Sequence, residues 1–183
     1  MHKLICLLCV ALGSQVTALP VNVPIEPVEG IGTAQGIFLF KDACYNRFPD
    51  ISTLRKAMSG PELKAWNFRK APSDRSEPEE RWISSKAVVT LSKSAKRSGN
   101  RIDPECSVTV RLFGIRSHVE LVSALFYLIE PKPTQIAWTE DEGPSAWKLS
   151  GPKGDQKIAL TTTKTSDGMV CNIKLTNLPT RAN

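Results

Sequence analysis

The chain has 183 residues, 41% of them apolar and 23% charged, with a net charge of +6. That is one ordinary domain, with a core large enough to fold without staples. The charge excess is mild, whereas a nucleic-acid binder concentrates more positive charge on one face, so no nucleic-acid partner is expected.

Met1 to Ala18 reads as a secretory signal peptide. Lys3 supplies the positive start, Leu4–Leu12 an apolar run too short to span a bilayer, and Val16-Thr17-Ala18 the small residues of a cleavage site. Cleavage after Ala18 leaves 165 residues with a net charge of +5. The rival reading is a lipoprotein leader with Cys9 as the lipidated residue, but the bulky Leu8 stands where a small residue is needed. No later window has the length and apolarity of a transmembrane helix. The expected address is therefore exported, periplasmic or secreted.

Residues 19–35 hold three prolines and two glycines and read as an extended arm or linker. A single α+β domain is expected over 36–178, with a frayed tail over 179–183. Gly36–Phe40 is either a first strand or the lead-in to a helix carrying Cys44 and Tyr45. Asp50 is placed to cap a helical piece in which Ile51, Leu54 and Met58 share a face while Arg55 and Lys56 face water. Ser59-Gly60-Pro61 ends it. Glu62–Phe68 fits a strand or one helical turn. Ala71–Glu80 reads as a polar loop, Trp82–Ser92 as one strand, and Lys93–Arg101 as a basic connection turning at Gly99-Asn100.

Residues 106–113 alternate. Val108, Val110 and Leu112 point one way, and Ser107, Thr109 and Arg111 the other, which is a strand with one face on a core. After Gly114, Ser117 and Glu120 match a capping box. The helix that follows carries Val119, Val122, Phe126 and Ile129, widened by Leu121, Leu125 and Leu128. A stripe that wide calls for burial on more than one side. Pro131 and Pro133 stop it. Short strands are expected at Gln135–Trp138, Trp147–Ser150, Gln156–Thr163 and Val170–Leu175, with turns at Gly151–Gly154 and Asp167-Gly168. The architecture that results is an antiparallel sheet with two helices packed on one face. Its halves look alike, each running from helix through a Trp and a hairpin to a strand that opens with Cys: CSVTVRL in the first, CNIKLTN in the second.

With Cys6 and Cys9 lost with the leader, Cys44, Cys106 and Cys171 remain, enough for one disulfide and one leftover thiol. Cys44–Cys106 is preferred because it ties the first helix to the central strand; Cys106–Cys171, across neighbouring strands, is the rival. Their spacing fits neither a redox CxxC nor a zinc site, and no metal or cofactor is expected. His118 is the one histidine outside the leader. As a general base it needs a nucleophile and an orienting partner, and its neighbour Ser117 is better explained as the cap. Ser92-Lys93, Ser94, Lys96 and Lys164-Thr165-Ser166 superficially resemble the motifs of penicillin-recognising enzymes, but the Ser leaves a strand rather than starting a helix. Glu77, Glu79 and Glu80, and Glu140 to Glu142, read as solvated acidic faces. Trp66, Trp82, Trp138 and Trp147 flank polar loops and are candidates to line a partner-binding groove, against the alternative of sheet-edge packing. The basic loop with Lys93, Lys96, Arg97 and Arg101 is a candidate grip for an anionic partner.

The pattern Cys44-x4-Pro49-Asp50 with an amphipathic helix, then Cys106-Ser107-Val108 and a second helix, resembles small exported proteobacterial proteins of unknown function. The resemblance implies an address and a fold, not a mechanism; Cys171 is not part of the pattern. The expected function is a non-enzymatic, inhibitor-like or protein-binding envelope module with a protein partner. The alternative is a small envelope hydrolase using Cys or His118.

Overall fold

The computed structural model describes residues 26–72, 79–92, 95–97, 100–102, 104–115, 117–129, 134–137, 145–151 and 154–178. The strands are β1 (Gly30–Ile31), β2 (Arg69–Lys70), β3 (Glu79–Ile83), β4 (Ala87–Ser92), β5 (Ala95–Arg97), β6 (Asn100–Ile102), β7 (Glu105–Leu112), β8 (Thr134–Ala137), β9 (Ser145–Gly151), β10 (Gly154–Thr165) and β11 (Gly168–Asn177). The helices are α1 (Thr33–Phe40), α2 (Ile51–Met58) and α3 (His118–Leu128). A π turn over Lys41–Tyr45 prolongs α1, and a 3-10 turn covers Pro61–Trp66.

The main sheet runs β2-β3-β4-β7-β11-β10-β9-β8, antiparallel throughout, so the fold is α+β as expected. The short β1 joins β7 in parallel, beyond the end of β4. A separate hairpin pairs β5 with β6. The order has a two-fold pattern: two four-stranded meanders, one preceded by α1 and α2 and the other by α3, meet where β7 pairs with β11. The two Cys-headed strands whose likeness the sequence displays are therefore adjacent at the centre.

Alternation decides which face is buried. On β7, Cys106, Val108, Val110 and Leu112 are buried while the residues between are half-exposed. Ile158, Leu160 and Thr162 on β10, and Cys171, Ile173 and Leu175 on β11, continue the same inward face. All three helices lie on it. At Gly36 of α1, an added Cβ would stand 3.0 Å from the Leu112 side chain and 3.2 Å from that of Val110, so glycine permits the close approach of helix to strand. Cys44, in the π turn, is bonded to Cys106. The preferred pairing is the one formed, and Cys171 is a free, buried thiol. Its burial pushes the thiol well above the ordinary range, which leaves it protonated.

Several expectations need correction. Among the described residues three α-helices, not two, cover the face. The stretch read as an extended arm already contains β1 and the start of α1. Trp82–Ser92 is not one strand but the hairpin β3–β4, because Ser84 folds the chain back: its N–H donates to the Ala87 carbonyl (2.9 Å) and its hydroxyl accepts from Ala87 N–H (3.0 Å). Helix α3 starts at the predicted cap, Ser117 Oγ accepting from Glu120 N–H at 3.2 Å. It is nevertheless buried on one side only, leaving Val119, Phe126 and Tyr127 exposed.

Asp50 caps α2 as read, accepting from Ser52 and Thr53 N–H. The hydroxyls of Thr53 and Ser52 add to this and hold its carboxyl at about 2. Arg55 does not simply face water. Its Nε lies 2.9 Å from Glu80 Oε1, and Lys70 Nζ reaches Glu80 Oε2 at 2.8 Å. Glu80, expected in a solvated loop, is only 7% exposed. It shares the inward parity of Trp82 on β3, and two cations from α2 and β2 compensate its burial.

Candidate functional site

Two places stand out: a sealed polar cluster under α3, and an open groove at the β2 edge.

The cluster centres on His118, the first residue of α3, which is 2% exposed. Its Nδ1 lies 2.9 Å from Thr162 Oγ1 on β10 and its Nε2 2.7 Å from Ser145 Oγ on β9. Ser145 and Thr162 are themselves buried. A neutral imidazole donates through one nitrogen and accepts through the other, and two hydroxyls can serve either tautomer. Burial lowers the His118 pKa from 6.5. The Ser–His spacing is that of an activated nucleophile, but the hydroxyl has no exposure to a substrate and the third group is a hydroxyl, not a carboxylate. As it stands the cluster fastens the start of α3 to two strands.

The sequence pointed to His118 but not to its partners, which lie 27 and 44 residues away. Strand parity was the available signal. Thr162 continues Ile158 and Leu160, and Ser145 precedes Trp147 and Leu149 at the same parity.

The groove, of about 660 Å3, is lined by Glu26, Val28, Asn67, Phe68, Arg69, Ile83, Ser84 and Ser85. Ile83 alternates with buried Trp82 on β3 and so lies on the face away from the helices. Asn67 takes a left-handed conformation (φ 51°) at the end of the 3-10 turn, which redirects the chain into β2. The wall formed by residues 26–29 is fixed at two points: Glu29 N–H donates to the Ser85 carbonyl at 2.8 Å, and Arg111 Nε donates to the Pro27 carbonyl at 3.1 Å. Val28 is 67% exposed over this wall. Arg69 and Lys70, which form β2, are exposed at the edge of the sheet.

The three tryptophans among the described residues do not share a surface. Trp147 is 2% exposed and Trp82 5%, both inside the core, because each has the inward parity of its strand. Trp82 also carries Lys70 Nζ 5.2 Å from its ring centroid. Trp66 is half-buried and stacks on Phe68 (centroids 6.3 Å, planes 16° apart), so it backs the groove through that ring. Trp138 and Lys93 lie outside the described residues, while Lys96, Arg97 and Arg101 are carried on the backbone of the β5–β6 hairpin.

Among the described residues no helix is long and apolar enough to cross a membrane, and no three His, Cys, Asp or Glu side chains converge as metal ligands. Comparison with known proteins finds no matching family model, no matching curated protein and no matching solved structure.

Proposed function

We propose that the protein is an exported binding module that holds an extended segment of a protein partner in the groove beside β2 and does no chemistry on it. One observation carries the reading. A concave surface with apolar walls, Val28, Phe68 and Ile83, lies directly against an exposed sheet edge. Sheet edges recognise extended peptides through backbone hydrogen bonds, and neighbouring apolar pockets select their side chains. Export is supported by the leader-like Met1–Ala18 and is compatible with the Cys44–Cys106 disulfide, which an oxidising compartment preserves. The hydrolase alternative is disfavoured because its two ingredients, His118 and the Cys171 thiol, are both shut inside the core.

The test is selection of a displayed random peptide library on the wild-type protein, followed by affinity measurement on Val28→Asp and Arg69→Glu. Both positions are exposed, so neither change should move the melting temperature appreciably. Selected peptides should bind Val28→Asp about tenfold more weakly or worse, the effect of losing roughly 1.4 kcal/mol of apolar contact. Peptides indifferent to both substitutions would place recognition elsewhere.

A further inference from the structure

The His118 cluster is more than a fastening. Its chemistry is asymmetric with respect to acid. Both ring nitrogens are engaged by hydroxyls, so no carboxylate is hydrogen-bonded to the ring to balance a positive charge. The histidine also occupies the first position of α3, where unpaired backbone N–H groups present the positive end of the helix dipole. Among the described residues the surroundings offer little relief. Helix α1, which packs against α3, has no charged residue. On β9 the charged Lys148 is turned outward to Asp155. On β10, Lys164 is exposed two residues beyond Thr162. On β11, Cys171 pairs with Thr162 as a neutral thiol. On α3 itself, Glu120 is exposed.

We propose that His118 is an acid-sensitive latch. Neutral, it ties the first turn of α3 to β9 and β10 through Ser145 and Thr162; protonated, it leaves an unbalanced buried cation at a helix N-terminus, and that turn separates from the sheet. The released element is the one whose outer side already exposes Val119, Phe126 and Tyr127. Acid would therefore enlarge an apolar surface far along the chain from the β2 groove, and the device stands independently of what that groove binds.

The sign follows from linkage. Burial sets the folded-state pKa below the 6.5 of an ordinary histidine. The stability that neutrality supplies is complete above that unfolded value and is lost progressively as pH falls from it towards the folded one.

The experiment combines an NMR titration of the His118 ring with amide hydrogen exchange at roughly pH 7.5 and pH 5. The ring should titrate below the usual histidine range. After correction for intrinsic exchange chemistry, α3 amides should lose several-fold more protection than β7 amides on acidification. In His118→Gln, which retains a hydrogen-bonding side chain without the titration, the α3-specific loss should vanish. A wild-type His118 pKa at or above the ordinary value overturns the proposal whether or not the variant folds. So does an α3-specific acid response of equal size in His118→Gln.

Discussion

Replacing Cys44 and Cys106 together by Ala is expected to lower stability by about 4 kcal/mol, from the lost restriction on the unfolded chain for a bridge spanning 62 residues. Against the roughly 5–15 kcal/mol that a domain possesses, this is a large fraction. For a chain of this size it corresponds to a fall in melting temperature of roughly 8–16 °C, readable by calorimetry of the oxidised protein beside the double variant. The effect is large because of where the bridge lies. Cys44 sits in the π turn that ends the first helical segment, and Cys106 opens the buried alternation of β7. Cutting the bridge leaves α1 held to the sheet by packing around Gly36 and by Phe40 and Ile37 in the core. A change below about 1 kcal/mol would mean that this packing alone fixes the helical layer.

Trp147→Ala is expected to cost about 3–5 kcal/mol, the range for truncating a large buried aromatic. Trp147 is among the largest fully enclosed side chains of the protein and faces inward from β9 opposite Ile158. The sequence alone admitted a different outcome, in which Trp147 lines a partner surface and its loss weakens binding without unfolding anything. Denaturant titration of the variant distinguishes them. A midpoint shift with an unchanged slope indicates lost core packing, while an unchanged midpoint would return Trp147 to the surface. Val28→Asp serves as the contrast, since its side chain is largely in solvent.

The fold was most legible where apolar periodicity was unbroken. The alternation predicted the faces of residues 107–112 on β7, and Ser117 with Glu120 predicted where α3 starts. Legibility failed where a polar residue is buried by tertiary context. Glu80 reads as solvated until α2 brings Arg55 over it, and neither Ser145, next to an acidic loop, nor Thr162, within a strand, stands out in the sequence until α3 brings His118 down between them. It failed again at Ser84, where a short turn inside an apolar run divided one expected strand into two. The groove was not visible at all. Its walls come from residues 26–28, 67–69 and 83–85, which become neighbours only when β2 pairs with β3 and the N-terminal segment is tied to Ser85. Tryptophan positions were a poor guide, because a residue beside a polar loop in sequence can still hold the inward parity of its strand.

The helical layer is closed onto one face of the sheet. That closure removes His118, Cys171 and Trp147 from solvent. Alkylation of the native, non-reduced protein followed by peptide mapping probes this closure. A linked Cys44–Cys106 peptide is expected, with a Cys171 that stays unmodified until the protein is denatured. A Cys106–Cys171 linkage, or rapid alkylation of Cys171 in the native state, would contradict it.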